Sequence, residues 1–200
     1  MKIKHFALFG LLALVASEPV LAHSPIKGIG NFYNGLLHPI LVPAHLLLLV
    51  AVGIFLGQQE PKKTELTLGI FAFATIAGLT AAWFSIGSEL ETFVLVLSAT
   101  IGLLIAISPQ ISLLWYAVVA LLAGFFLGID SAQTELSGKE KFVTLFGSGV
   151  AIYFLSLYPV ALTDSFNKKP WQKIAIRIIG SWVAASSLLV LALSLSGKGQ

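Results

Sequence analysis

The sequence predicts an all-α fold, an integral membrane bundle of six transmembrane helices that follows a cleaved signal peptide. Hydrophobic residues make up 57% of the 200 residues and charged residues only 10%, whereas soluble domains carry about 25% charged residues. Six apolar stretches each approach the roughly 20 residues that one bilayer crossing requires. In addition, the chain begins with a basic segment and a short apolar run, which is the pattern of a secretory signal.

Residues 1–22 are predicted to be the signal peptide, and residues 23–200 the six-helix transmembrane domain. Lys2 and Lys4 give a basic start, and the apolar run over residues 6–16 is too short to span a bilayer. The small residue Ala22 ends the segment, so cleavage there makes His23 the new N-terminus. An uncleaved first helix is the alternative interpretation.

The six predicted helices follow in order along the chain. The second and fourth are each followed by an external loop, and the basic loops near Lys62 and Lys168 are cytoplasmic by the positive-inside rule. This orientation agrees with the signal peptide and places the mature N-terminus and the C-terminus outside. The predicted ranges are residues 35–57, 66–86, 90–107, 111–129, 142–162 and 174–195.

Two pairs of glycines are spaced for close helix packing. Gly53 and Gly57 lie in the first predicted helix, and Gly124 and Gly128 in the fourth. Small residues four apart let helix backbones approach closely in lipid. We interpret both pairs as internal packing positions of the bundle.

The first predicted helix contains two histidines and two prolines, His38, Pro39, Pro43 and His45. Ionisable residues at membrane depth are costly and usually face the bundle interior or a water-filled path, and each proline tends to kink a helix and free a carbonyl. On a regular helix the histidines share a face but stand roughly 10 Å apart, too far for one metal ion. Either the prolines unwind the segment, or each histidine works with other partners. The alternative is that both histidines only pack against neighbouring helices.

Two further groups are candidate ligands on the predicted external side. Cleavage after Ala22 would place a free α-amine beside the imidazole of His23, and that pair can chelate a transition metal; otherwise His23 merely follows the cleavage site. Asp130, Gln133 and Glu135 follow the fourth predicted helix. A carboxylate there can complete a ligand set with imidazoles, but an ordinary solvated loop is the simpler interpretation of these residues alone.

Several classes of function are disfavoured by composition and motif. The chain has no cysteine, which excludes disulfides, thiolate metal sites and thiol nucleophiles. It carries no Walker A, GxSxG or HExxH motif, so we expect no enzyme activity. Its net charge of +3 is spread along the chain without basic runs interleaved with aromatics, so we expect no nucleic-acid partner.

In these residues the chain resembles the HupE/UreJ family of small bacterial membrane proteins. The first-helix pattern of that family reads roughly His-Pro-x-x-Gly-x-Asp-His, and His38, Pro39 and His45 match it. The segment that ends at Asp130 is similar in frame to the pattern His-Gly-x-Ala-His-Gly-x-Glu. The chain departs from these patterns at Val42, where the family has a glycine, and at three positions where it has ligand types. These are Ala44, in place of an aspartate, and Ala123 and Leu127, in place of two histidines.

The resemblance implies a multi-pass protein of the bacterial inner membrane that acts as a permease for a divalent transition-metal ion, nickel or cobalt. Its external capture site would comprise His23, His38, His45 and Asp130, with the metal as transported cargo and no tightly bound cofactor. Metal capture would weaken as pH falls, because coordination requires the neutral imidazole. The partners implied are the lipid bilayer, the metal ion and a membrane or metalloenzyme protein. The alternative is a non-transporting accessory component for metalloenzyme maturation or for another transporter.

Overall fold

The computed structural model describes residues 28–84, 90–133 and 135–197. The predicted signal peptide, residues 1–22, and the candidate ligand His23 lie outside these ranges. The described residues form seven α-helices and no strand. The helices are α1 (Asn31–Leu41), α2 (Pro43–Gly57), α3 (Pro61–Trp83), α4 (Glu91–Ile107), α5 (Leu113–Ile129), α6 (Gly138–Phe166) and α7 (Pro170–Gly197).

The first predicted span is two helices, not one, which corrects the prediction of a single helix over residues 35–57. The axes of α1 and α2 are bent by 71°. Pro43 is the first residue of α2, and Val42 before it is extended, with φ −87° and ψ 110°. A proline disfavours helical backbone at the preceding residue, so the local sequence accounts for the break at Val42.

Pro39 lies inside α1 and has a separate effect on its backbone. A proline has no N–H, so the carbonyl four residues earlier, that of Gly35, loses its helical partner. The hydroxyl of Ser148 in α6 donates to this carbonyl at 3.1 Å. The carbonyl that Pro39 leaves without a helical donor therefore accepts a hydrogen bond from the neighbouring helix α6.

The other five predicted helices correspond to α3, α4, α5, α6 and α7. Of these, α3, α6 and α7 are long and apolar enough to cross a membrane, and the bent pair α1–α2 makes up to four spans if it counts as one. Helices α4 and α5 are apolar but have 17 residues each, about 25 Å of helix. The count of six spans stays a prediction for these two helices.

Helix α2 lies at the centre of the bundle. It packs mainly on α4 and α6, and it also contacts α1, α3, α5 and α7. Every residue of its C-terminal half, from Ala51 to Gly57, is buried, as expected of a helix that is hydrophobic on every side. Large apolar side chains such as Phe73, Leu114 and Trp182 are instead exposed on the outer helices, where lipid would cover them.

The glycine pair of α5 lies where that helix crosses α3. A Cβ built on Gly128 would stand 2.5 Å from the carbonyl oxygen of Thr75 and 2.9 Å from Cα of Gly78. Gly124 meets the backbone of Phe71 one turn earlier along α3. No larger side chain fits at either position unless the two helices separate.

The glycine pair of α2 lies against α6. A Cβ on Gly53 would stand 2.9 Å from the carbonyl oxygen of Ser156, and one on Gly57 would stand 2.6 Å from that of Val160. The two helices run parallel, because Gly53 meets Ser156 and Gly57 meets Val160. The N-terminal end of α2 is therefore at the opposite end of the bundle from the turn between α6 and α7. That end of α2 carries the candidate site residue His45.

Candidate functional site

The break between α1 and α2 brings the two histidines of the first predicted helix together. The ring centroids of His38 and His45 are 5.0 Å apart and the rings meet edge to face, in place of the roughly 10 Å separation of a regular helix. His38 is 2% exposed and His45 is fully buried. Of the two alternatives drawn from the sequence, the structure has the interrupted helix.

Asp130 completes this cluster from a distant part of the chain. It caps the C-terminal end of α5, and its Oδ2 lies 2.9 Å from Nε2 of His45. Both side chains are buried. Burial of a carboxylate without a polar partner has a large desolvation cost. This charge-assisted hydrogen bond offsets part of that cost for Asp130.

The second oxygen of Asp130 also has a partner. Its Oδ1 accepts a hydrogen bond from the backbone N–H of Leu90 at 3.2 Å. Leu90 is the residue before α4, so the one carboxylate connects α2, the start of α4 and the end of α5. Because both oxygens are engaged, Asp130 holds the His45 ring in a fixed orientation.

This orientation determines which ring nitrogen of His45 is available to a ligand. When neutral His45 donates Nε2–H to Asp130, its Nδ1 carries the lone pair. Nδ1 has no hydrogen-bond partner among the described residues. A histidine that donates one ring N–H to a carboxylate and offers its other nitrogen is the usual arrangement of a metal-ligating imidazole.

The segment after α5 is buried, which corrects the interpretation of an ordinary solvated loop. Asp130, Ser131 and Gln133 are all 5% exposed or less, and only Glu135 of the predicted cluster is exposed. Thr134 lies outside the described residues. Three of the four residues from Asp130 to Gln133 are polar and buried, so this segment lies in the interior of the protein beside His45.

The described residues supply part of a metal-binding set. Within residues 28–84, 90–133 and 135–197, no three His, Asp or Glu side chains converge closely enough to hold a metal ion together. His38, His45 and Asp130 are brought together, and Asp130 contacts His45 on the Nε2 side of its ring. The fourth predicted ligand, His23, lies outside the described ranges.

Two functional contacts of the site were not predicted from the sequence. Leu90 contributes only its backbone N–H, which no side-chain pattern indicates. Ser148 supports the carbonyl of Gly35, and here a signal was present, because Pro39 stands four residues after Gly35 and therefore frees that carbonyl.

The apolar helices and the interrupted segment that carries a buried imidazole–carboxylate pair define a small helical membrane protein. A scan against protein families matches residues 11–190 to the HupE / UreJ protein family. The match covers most of the chain, which therefore belongs to the HupE/UreJ family. This family is associated with nickel or cobalt transport or with metalloenzyme maturation. Searches of the curated proteins and of the solved structures gave no match.

Proposed function

We propose that this protein is a membrane permease for a divalent transition-metal ion, nickel or cobalt, with an external capture site built on His38, His45 and Asp130. The observation that carries the proposal is the buried contact between His45 and Asp130 beside His38. Membership of a family associated with nickel or cobalt transport supports it.

The three side chains have different roles in this proposal. His38 and Nδ1 of His45 bind the ion directly, and Asp130 positions His45 and offsets the positive charge of the ion. The amine and imidazole of His23, at the predicted mature N-terminus, would add further nitrogen ligands from the outside. Imidazole nitrogen suits nickel, cobalt, copper and zinc, whereas magnesium and calcium prefer oxygen, so the site selects against the abundant hard cations.

The helix break supports a transport role. Interrupted transmembrane helices are a recurring way to present side chains and unpaired backbone groups to a transported ion. Here the break at Val42 lies three residues before His45, at the external end of the central helix in the predicted orientation.

In this proposal the ion leaves through a polar cavity at the far end of α2. It has a volume of about 200 Å³, and Gln58, Ser108, Tyr116 and Asn167 contribute to its lining. Tyr116 is stacked on Phe55 with ring centroids 4.5 Å apart. About 15 Å of helix separates His45 from Phe55, and the α2 side chains between them are packed, so inward passage requires α2 to separate from its neighbours.

A second candidate function is a non-transporting accessory component. It is favoured by the positions where the chain departs from the family patterns. Ala44, Ala123 and Leu127 stand where the patterns have an aspartate and two histidines, and all three are fully buried. In this view the site is packed with apolar groups and the His45–Asp130 pair stabilises the bundle.

Uptake of labelled nickel or cobalt by cells that express the protein separates the two functions. We expect His38→Ala and His45→Ala each to lower uptake and the double variant to abolish it. The matched control is Ser98→Ala/Ser187→Ala, which removes a buried hydrogen bond of 2.8 Å between α4 and α7 and should keep uptake. Unchanged uptake in the histidine double variant, together with a stoichiometric partner that co-purifies with metal-free protein, would favour the accessory function.

A further inference from the structure

An apolar groove runs along the outside of the bundle where α6 and α7 diverge. Its floor is the central helix α2, which contributes Leu46, Val50 and Ile54, and its walls include Leu155 and Phe166 of α6 and Ile176 of α7. The groove has a volume of about 530 Å³. Through this groove, lipid-facing space reaches α2, the helix that carries His45.

The length of the groove matches one leaflet of a bilayer. Along α6 its lining runs from Leu155 to Phe166, about 16 Å of helix. Half of a hydrocarbon core roughly 30 Å thick is about 15 Å. A single acyl chain that enters at the Phe166 end would therefore lie along α6 as far as Leu155 and point toward the Leu46 end of the groove.

The Phe166 end of the groove is positively charged. The turn from α6 to α7 carries Lys168 and Lys169, which are both exposed, and their backbone N–H groups are held by Oε1 of Gln172 at 3.2 and 2.7 Å. Lys173 and Arg177 follow on α7, where Arg177 donates to the carbonyl of Ala106. Asp164 is the one acidic residue between positions 164 and 177.

Aromatic residues mark the same end as an interface. Trp171 is largely exposed and meets Phe166 edge to face, with ring centroids 5.1 Å apart. Tryptophan is enriched at the level of the lipid headgroups. A membrane phospholipid has its acyl chain, its interfacial region and its phosphate in this order. The protein offers a matching series in the apolar groove, the aromatic pair and the two lysines.

We propose that this groove is a binding site for an anionic phospholipid, with one acyl chain against α2 and the phosphate on Lys168 and Lys169. Clusters of basic residues at the cytoplasmic ends of transmembrane helices recognise acidic headgroups, and this turn is predicted to be cytoplasmic. The bound chain fills the gap between α6 and α7 and stabilises the packing around α2. The inference does not depend on metal transport.

The test measures thermal unfolding of the purified full chain in neutral detergent with added dioleoyl phosphatidylglycerol or dioleoyl phosphatidylcholine. We expect phosphatidylglycerol to raise Tm by about 3 °C or more above the value with phosphatidylcholine. The variant K168Q/K169Q should lose this difference. The control K62Q/K63Q, which removes a matching pair of lysines at the start of α3, should keep it. Equal stabilisation by both lipids, or a preference that survives in K168Q/K169Q, would overturn the proposal.

Native mass spectrometry tests the groove itself. Leu46 lines the groove and is 39% exposed, so Leu46→Trp adds bulk there with little strain on the core. We expect this variant to carry less bound phosphatidylglycerol than the unmodified chain. Full occupancy in Leu46→Trp, or a dimer that excludes the lipid because a second copy covers the groove, would place the lipid elsewhere and reject the site.

Discussion

His45 and Asp130 are hydrogen-bonded at 2.9 Å although 85 residues separate them in the chain. The bond joins the start of the central helix to the end of α5, and through Leu90 it reaches the start of α4. Three helices thus converge on one buried carboxylate. The candidate site is also a structural joint of the bundle, and this dual role determines how its variants should behave.

Replacement of Asp130 should affect both stability and metal handling. Asp130→Ala leaves Nε2 of His45 and the N–H of Leu90 without their partner, and each buried unsatisfied group costs about 1–3 kcal/mol. We therefore expect a loss of about 2–6 kcal/mol in unfolding free energy and loss of uptake. Asp130→Asn retains an acceptor oxygen and should lose less stability. Denaturation of the purified protein measures the first effect, with Glu135→Gln, an exposed carboxylate of the same segment, as the control that should change neither.

The bend at Val42 should depend on Pro43. Pro43→Ala removes the steric restriction on Val42, so α1 and α2 can join and the two imidazoles can move apart. We expect metal uptake to fall several-fold while unfolding free energy changes by less than about 1 kcal/mol. The matched control is Pro61→Ala, because Pro61 begins α3 in the same way without a histidine nearby. A Pro43→Ala protein with normal uptake would show that the bend does not assemble the site.

The bond between Ser148 and Gly35 should be coupled to Pro39. Ser148→Ala leaves the freed carbonyl of Gly35 without its donor and should cost about 1–2 kcal/mol. In a Pro39→Ala background the residue at position 39 again has an N–H for that carbonyl, so the same serine substitution should cost much less. A double-mutant cycle measured by thermal or chemical unfolding gives this coupling. Additive effects of the two substitutions would contradict the assigned role of Ser148.

The crossing of α3 and α5 should tolerate no added atoms. Gly128→Ala places a Cβ 2.5 Å from the backbone oxygen of Thr75, so the helices must separate, at a cost of about 1–3 kcal/mol. Gly69→Ala is the matched control in α3, because a Cβ there meets nothing within 4 Å. It should be neutral or stabilising by up to about 1 kcal/mol, since alanine is the better helix former. Comparable losses in both variants would indicate that glycine flexibility, not close packing, is what Gly128 provides.

Much of the helical architecture could be predicted from the sequence, because apolar length and turn residues are local properties. The apolar stretches after residue 60 correspond to α3, α4, α5, α6 and α7 within a few residues. The division of the first stretch at Val42 was only half predicted. Two prolines indicate a distortion, and Pro43 accounts for the extended backbone at Val42, but the 71° angle between α1 and α2 is not a local property of the sequence.

The residues of the candidate site could be proposed from the sequence, but their arrangement in space could not. His38 and His45 stand out because imidazoles are rare in apolar stretches. Asp130 looks like a loop residue in the sequence, since nothing local shows that α5 ends beside the start of α2. Its burial and its bond to His45 follow from tertiary packing between segments far apart in the chain.

Uptake of labelled nickel or cobalt into proteoliposomes that contain only the purified protein is the most direct test of the transport proposal. We expect ion accumulation above that of protein-free liposomes, and we expect the His38→Ala/His45→Ala variant to reduce it to the protein-free level. Uptake by the unmodified protein no greater than by empty liposomes, or undiminished uptake by the double variant, would contradict it.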